Sequence, residues 1–274
     1  MSPETLGPDA TPAGPLLTIV TVVRNGELSL AGTIASVAAQ KTGDVEYIVI
    51  DGASTDRTLG IIEAQREHID YWLSEPDRGI YEAMNKGIRA ANGRFIGMLN
   101  SGDCYEEGAL QLVIDEIRRS PVRHLVLAGG VAMLDAEGRT AAVHMVDAGS
   151  LRNRYRFMPL SHPAMFLAKS IHADIGMYRE DMVISSDYDL LLKILERGVE
   201  IRFIPAVLTR MQAGGISESP RMIFTRLHEG FDIRRKYTSL PYCAAMAARE
   251  FLSCLYRLVR DSAPVRAIFA KSGT

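Results

Sequence analysis

An α/β architecture is what this sequence predicts: a mostly parallel sheet with helices on both faces. Three observations predict it. Short, apolar, β-branched runs alternate with helical stretches over residues 16–128, and strands and helices at that spacing pair in parallel. The 274-residue chain is 47% hydrophobic, which supports a substantial core in one or two domains. Asn25, Asp51 and Asp103 each follow an apolar run. They therefore fall at carboxyl ends of strands, where such sheets bind their ligands.

The elements follow in order. Residues 16–23 are a buried-strand pattern ended by Arg24-Asn-Gly26. Residues 29–40 read as a helix, with Leu30, Ile34, Val37 and Ala38 on one face. Residues 47–50 form the next strand. Residues 58–67 form a helix, with Ser54, Thr55 or Asp56 as its N-cap. A short strand over 71–73 precedes a helix over 80–91 that closes near Asn92-Gly93. Then come a strand at 95–99, a helix at 109–119 and a strand at 124–128. Beyond Gly129 the alternation weakens. Residues 131–133 and 141–145 flank Asp135-Ala-Glu-Gly138 as a hairpin. Residues 164–168 are a strand, 188–197 a helix ended by Gly198, and 201–204 a strand. The second half therefore reads as mixed. The expected division is a disordered tail (1–15), a domain of two halves (16–105 and 106–220), and a basic helical extension (221–274).

Composition excludes several classes. A net charge of −2 gives no footprint for nucleic acid. Three scattered cysteines build neither a disulfide framework nor a zinc site, and fit a reducing cytoplasm. The N-terminus lacks the charged and apolar regions of a signal peptide. No uncharged apolar run reaches the roughly 18 residues that span a bilayer. The first strand is followed by no G-x-G-x-x-G, against a dinucleotide oxidoreductase. Arg24-Asn-Gly26 is too short for the basic, glycine-rich phosphate loop of a nucleotidyltransferase.

Each candidate residue carries two readings. Asp51, in Asp-Gly-Ala-Ser-Thr-Asp (51–56), is a carboxylate for a base or ribose, or an ordinary turn residue. Ala53 stands where a phosphatase-like Asp-x-Asp would need its second aspartate. Asp103 anchors Mg²⁺ or Mn²⁺ if a diphosphate supplies further oxygens, or is a loop aspartate. Asp77, Arg78 and Gly79 offer a carboxylate, a cation and a flexible backbone beside phosphates. Asn85 and Lys86 follow on the helix, where Lys86 alone reads better as a solvated face. Asp187 is a general base for an acceptor hydroxyl, or an N-cap beside Ser185, Ser186 and Asp189. His162 is a phosphate or acceptor contact, or a structural histidine. Gly214-Gly-Ile-Ser217 reads as a lid.

Taken together, Thr-Val-Val-Arg-Asn (21–25), the 51–56 turn, Ser-Glu-Pro-Asp-Arg-Gly-Ile-Tyr-Glu-Ala-Met-Asn-Lys-Gly (74–87), Asn-Ser-Gly-Asp (100–103) and Ser-Asp-Tyr-Asp (186–189) resemble a known family. It is the inverting family 2 glycosyltransferases of Rossmann-like GT-A fold, especially small bacterial members of polysaccharide and glycolipid pathways. The resemblance spans about residues 16–217. It implies a nucleotide-diphosphate sugar as donor. Asn25 and Asp51 would belong to the nucleotide site, with Asp51 on the base. Asp77, Arg78, Gly79, Tyr81, Asn85 and Lys86 would line the donor pocket. Asn100 and Asp103 would stand at the metal motif, with Asp103 ligating Mg²⁺ or Mn²⁺, and Asp187 would be the base. Gly102 departs from the pattern, which often carries a second aspartate there, and so puts strict metal dependence in question. The Gln-x-x-Arg-Trp motif of processive members is absent, so one sugar would be added per cycle to a glycan or lipid-linked acceptor. A GT-A domain that binds nucleotide sugar or carbohydrate without turnover is the competing reading.

The extension holds ten Lys/Arg against four Asp/Glu. Over 242–260, Ala248, Phe251, Leu252, Leu255 and Val259 share one helical face, with Arg249, Arg257 and Arg260 elsewhere. Basic amphipathic helices of this kind lie on anionic membranes. Packing on the chain's own core and a homodimer contact are the alternatives. The location expected is the cytoplasm, at the inner face of the plasma membrane if the helix binds lipid.

Overall fold

A computed structural model describes residues 14–122, 124–135, 137–212 and 219–260, without the side chains of 220 and 257–260. The expected tail, apart from Gly14 and Pro15, lies outside the described residues, as does the expected lid at 214–217.

The first half is built from β1 (Leu17–Val23), α1 (Leu30–Ala38), β2 (Val45–Asp51), α2 (Thr58–Ala64), β3 (Tyr71–Ser74), α3 (Ile80–Ala90) and β4 (Phe95–Met98). Pairing in the order β3-β2-β1-β4 is parallel throughout. Every residue of β1 is buried, as expected of a central strand covered by helices on both faces. α3 sits closest to it. A Cβ at Gly87 would collide with the Val20 side chain, so a glycine lets this helix lie down on the sheet.

The rest is mixed, as the weakened alternation implies. It comprises β5 (Cys104–Tyr105), α4 (Ala109–Arg119), β6 (Leu125–Leu134), β7 (Thr140–His144), β8 (Met165–Ala168), α5 (Lys169–Ile175), α6 (Ser186–Glu196), β9 (Glu200–Gln212), α7 (Ile223–Arg234) and α8 (Leu240–Arg260). β8 joins the sheet antiparallel between β4 and β6, β9 runs parallel to β6, and β5 closes the far edge. The nine described strands therefore form one sheet across both halves.

Several boundaries differ from expectation. β6 is one strand where two were expected, and it carries the hairpin with β7. β9 runs eight residues past 204, because β5 and β6 supply hydrogen-bonding partners along its length. α6 starts at Ser186 instead of 188, so Asp187 lies inside its first turn. Its N-cap position is Ser185, and no side chain caps it. α5 had no expected counterpart, and α7 falls within the expected helical extension, ahead of the 242–260 helix.

α8 packs through Cys243, Glu250 and Cys254, with the guanidinium of Arg234 on α7 paired to Glu250. The apolar stripe of Phe251, Leu252 and Leu255 faces outward, and Tyr256 joins it. Among the described residues no helix is long and apolar enough to cross a membrane.

Candidate active site

The loops at the carboxyl ends of β1 to β4 are stitched to one another. Asn25 has φ 53°, a left-handed conformation that asparagine tolerates. Its N–H donates to Ser54 Oγ at 2.7 Å, and its Oδ1 accepts from Thr55 N at 2.9 Å. The Gly26 N–H donates to Thr58 Oγ1 at 2.8 Å. Ser29 and Ser101 hydroxyls meet at 2.8 Å, joining the loop after β1 to that after β4. Asp51, the last residue of β2, is fully buried. Its carboxylate accepts from Ser54 N at 3.0 Å, Ser54 Oγ and Ser74 Oγ at 2.6 Å. It thereby ties β2 to β3, and a nucleotide bonded to Asp51 would share oxygens already in use. Asp77 reaches back over Gly52. Burial raises its pKa, against the opposing pull of Lys86 and Arg24.

α3 links this edge to the segment before α6. Gly79 is its N-cap residue. Arg78 bonds Glu82 at 2.7 Å and also pairs with Glu180, and the Glu82 bond raises its pKa. Lys86 bonds the Pro76 carbonyl at 3.0 Å and Glu75 at 2.9 Å. Asn85 is buried and fully engaged. Its Nδ2 donates to the Tyr178 carbonyl and to Glu180, both at 2.9 Å, and its Oδ1 accepts from Tyr178 N at 3.0 Å. The donor-pocket candidates Arg78, Asn85 and Lys86 are thus all committed to protein partners here.

Asp187 is the meeting point of the second cluster. Its Oδ1 accepts from Tyr188 N at 2.9 Å and from the Tyr81 hydroxyl at 3.3 Å. Tyr81 stacks on Tyr178 with ring centroids 5.6 Å apart. The Tyr178 hydroxyl lies 2.6 Å from His162 Nε2. Burial, and secondarily the Asp187 charge, push the Tyr81 and Tyr178 hydroxyls far above their ordinary range. Both therefore stay protonated, and Tyr81 donates to Asp187. Burial lowers the His162 pKa, opposed by Asp187. Asp189 faces away, onto Lys193 at 2.7 Å and Lys236 at 2.9 Å.

Asp103 stands apart, between β4 and β5. It is 8% exposed, and burial pushes its pKa up to about 7 against a hydrogen bond from the Gln212 main chain. Nearby in sequence, Asn100 Oδ1 is buried with no hydrogen-bond partner among the described residues. Gly102 has φ 103°, which favours glycine. Its N–H donates to Thr33 Oγ1, which in turn donates to the Asp103 carbonyl, each at 2.9 Å. Among the described residues no group of three or more His, Cys, Asp or Glu is placed to cage a metal. One uncompensated carboxylate and one orphaned amide oxygen fit a hard divalent cation that takes its other ligands from a phosphate and water.

This predicts a pH effect. Below about pH 4 Asp103 is protonated both folded and unfolded and contributes nothing. As pH rises to about 7 the unfolded chain releases that proton first, so stability falls. At ~1.4 kcal/mol per pKa unit the ceiling is ~4 kcal/mol. Metal-free Asp103→Asn is therefore expected to be more stable than wild type at pH 8 and equal to it at pH 4, read by denaturant melts at both. Equal stability at pH 8 would show that the carboxylate is solvated.

Residues that sequence reasoning missed hold these clusters in place: Ser54 and Ser74 on Asp51, and Tyr178 and Glu180 on Asn85. Ser74 was available in the 74–87 motif. Tyr178 and Glu180 lie more than 90 residues from Asn85 and leave no local signal.

Residues 18–173 match the family model described as Glycosyl transferase family 2. An uncharacterized glycosyltransferase of Mycobacterium tuberculosis (strain ATCC 25618 / H37Rv) is 30% identical over 232 residues, covering 82% of this chain and 86% of that one. A PGL/p-HBAD biosynthesis glycosyltransferase of Mycobacterium bovis (strain BCG / Pasteur 1173P2) is 27% identical, covering 72% and 74%. Among solved structures, S. aureus TarS 1-349 in complex with UDP superposes with a TM-score of 0.61 at 17% identity, covering 86% of this chain and 70% of that one. Mannosyltransferase PcManGT from Pyrobaculum calidifontis, in complex with GDP-Man and Mn²⁺, gives 0.59 at 16% identity, covering 99% and 83%.

Proposed function

The chain belongs to glycosyl transferase family 2 and has its GT-A fold, and from that membership we propose that it adds one sugar, with inversion, to a lipid-linked or glycan acceptor. The donor is a nucleotide-diphosphate sugar held along the carboxyl edge of β3-β2-β1-β4. Asn25 and Asp51 form the nucleotide end. Asp77, Arg78, Gly79, Tyr81, Asn85 and Lys86 form the wall beside the diphosphate and sugar.

The observation that carries the reading is the state of Asp187. Among the described residues its hydrogen bonds fall on Oδ1, from the Tyr188 main chain and the Tyr81 hydroxyl. We assign Oδ2 to the acceptor hydroxyl. Asp187 takes that proton as the oxygen attacks the anomeric carbon from the face opposite the nucleotide. Tyr81 fixes the carboxylate and, remaining protonated, does not compete as a base. Asp103, with Asn100 beside it, would hold a divalent cation, which when bound neutralises charge on a leaving diphosphate. Arg78 must exchange Glu180 or Glu82 for phosphate to assist. The test is single-turnover sugar transfer by Asp187→Asn.

The acceptor class rests on a second observation. Leu252 and Tyr256 are 62% and 67% exposed on α8, beside Phe251 and Leu255, and the Mycobacterium bovis relative is a biosynthetic glycosyltransferase by name. We read the stripe as an interfacial face on the cytoplasmic leaflet. Truncation before Arg221 would be a poor test, because it removes α7 as well. The double substitution Leu252→Glu, Tyr256→Glu leaves the packed face intact. It is expected to abolish flotation with phosphatidylserine vesicles at unchanged thermal stability. Undiminished flotation would remove α8 from the membrane account, and a shift from dimer to monomer in solution would assign the stripe to a second copy.

A further inference from the structure

The segment that delivers Asp187 to α6 has no regular structure of its own: residues 176–185 lie in neither helix nor strand. It is hung on side chains. Asn85 grips the Tyr178 main chain at one end. The Ser186 hydroxyl accepts from Arg179 N at 2.5 Å, closing the segment on itself. Glu229, on α7, holds the other end. It is 7% exposed. One carboxylate oxygen accepts from Val183 N at 2.6 Å and the other from Ile184 N at 3.2 Å. Two consecutive amides, the second only three residues before Asp187, thus depend on one buried carboxylate from a different helix.

We propose that Glu229 is a positioning residue for the reaction: it sets where the Asp187 carboxylate sits when the acceptor arrives. The inference rests on Asp187 being the base. A carboxylate suits the task because each oxygen accepts and neither donates, so two adjacent N–H groups are satisfied by one rigid fork. Without it the two amides seek other partners and the loop shifts. A displacement of about 1 Å at a reacting group costs on the order of 10²-fold in rate. The two amides that Glu229 holds are bonded to it and not to a residue assigned to the donor, so the loss is expected in kcat.

The experiment uses full-length Glu229→Gln, which keeps the shape and turns one acceptor into a donor facing an N–H. Nucleotide release is followed with Mn²⁺ and whichever sugar donor a panel of UDP-, GDP- and dTDP-sugars identifies. Alongside it, hydrogen exchange is measured over 178–187. Expected are a ~10–10²-fold fall in kcat at unchanged donor KM, and faster exchange at Val183 and Ile184 without global loosening. Placed on Asp187→Asn, Glu229→Gln is expected to cost nothing further, since the base it positions is already gone. Unchanged kcat per folded enzyme, or the same fractional loss on both backgrounds, overturns the positioning role and leaves Glu229 a structural fastener of α7. Near-normal turnover in Asp187→Asn alone instead removes the base assignment itself. Should Glu229→Gln not fold, Glu229→Asp retains both acceptors one methylene shorter. The same kcat-only loss is then expected, and its absence overturns the proposal.

Discussion

Asp187→Asn is expected to lower turnover by ~10²–10⁴-fold, the range that a positioned general base supplies, with fold and nucleotide affinity unchanged. The substitution is discriminating because of how Asp187 is bonded. Its two partners, Tyr188 N and the Tyr81 hydroxyl, are donors to Oδ1. An asparagine carbonyl oxygen accepts from both, so the side chain keeps its place and loses only its basicity. The measurement is single-turnover sugar transfer, with calorimetric nucleotide binding and a thermal melt as controls.

The rival is specific. His162 is half-buried and 2.6 Å from the Tyr178 hydroxyl, and burial lowers its pKa so that it is neutral near pH 7. A neutral imidazole accepts a proton as readily as a carboxylate does. If Asp187→Asn turned over at near the wild-type rate, His162 would inherit the role, and His162→Gln would then show the loss. Against it stands its bond to Tyr178, which occupies Nε2, whereas Oδ2 of Asp187 takes no hydrogen bond among the described residues.

Much of this arrangement was legible in the sequence, and the boundary of legibility has a physical cause. β1 to β4 and their helices are close in sequence to the elements they pair with, so hydrophobic period and turn residues expose them. The strand-end positions of Asn25 and Asp51 follow from the same pattern. β5 is two residues long and pairs with a strand about 100 positions away, so no local period marks it. α7 lies in the expected helical extension but was not placed as a separate helix, and its buried positions include Glu229, Gly230, Ile233 and Arg234. Two of those four are charged, and an apolar-face search passes over them. Asn85 teaches the same lesson in reverse. Its place on α3 was evident, but two of its three bonds go to main-chain atoms of Tyr178, and a main-chain partner has no residue type to recognise. The start of α6 moved by two residues, within the ordinary uncertainty of helix ends, yet that shift puts Asp187 in the first turn, bonded to its neighbour's N–H.

Asp103→Ala is expected to abolish metal-dependent nucleotide binding, a loss of at least ~10²-fold, or ~2.7 kcal/mol. Calorimetric titration of UDP, GDP and dTDP, each with and without Mn²⁺ or Mg²⁺, reads it directly. The argument turns on charge. Burial holds the Asp103 pKa near 7, and among the described residues no charged side chain contributes, a gap that a divalent cation would fill. Metal and proton then compete for one carboxylate. Wild-type affinity is expected to rise with pH through about 7 and level off above it, with a proton released per metal bound below that point. Gly102 sharpens the expectation. Its left-handed backbone and its bond to Thr33 shape the turn, and it offers no second carboxylate to take over when Asp103 is removed. Nucleotide binding that is equally tight without metal and unchanged in Asp103→Ala would exclude Asp103 as a ligand and return it to being a buried loop carboxyl. Binding of none of the three nucleotides by the wild type would instead favour a GT-A domain that has kept its fold and given up its donor.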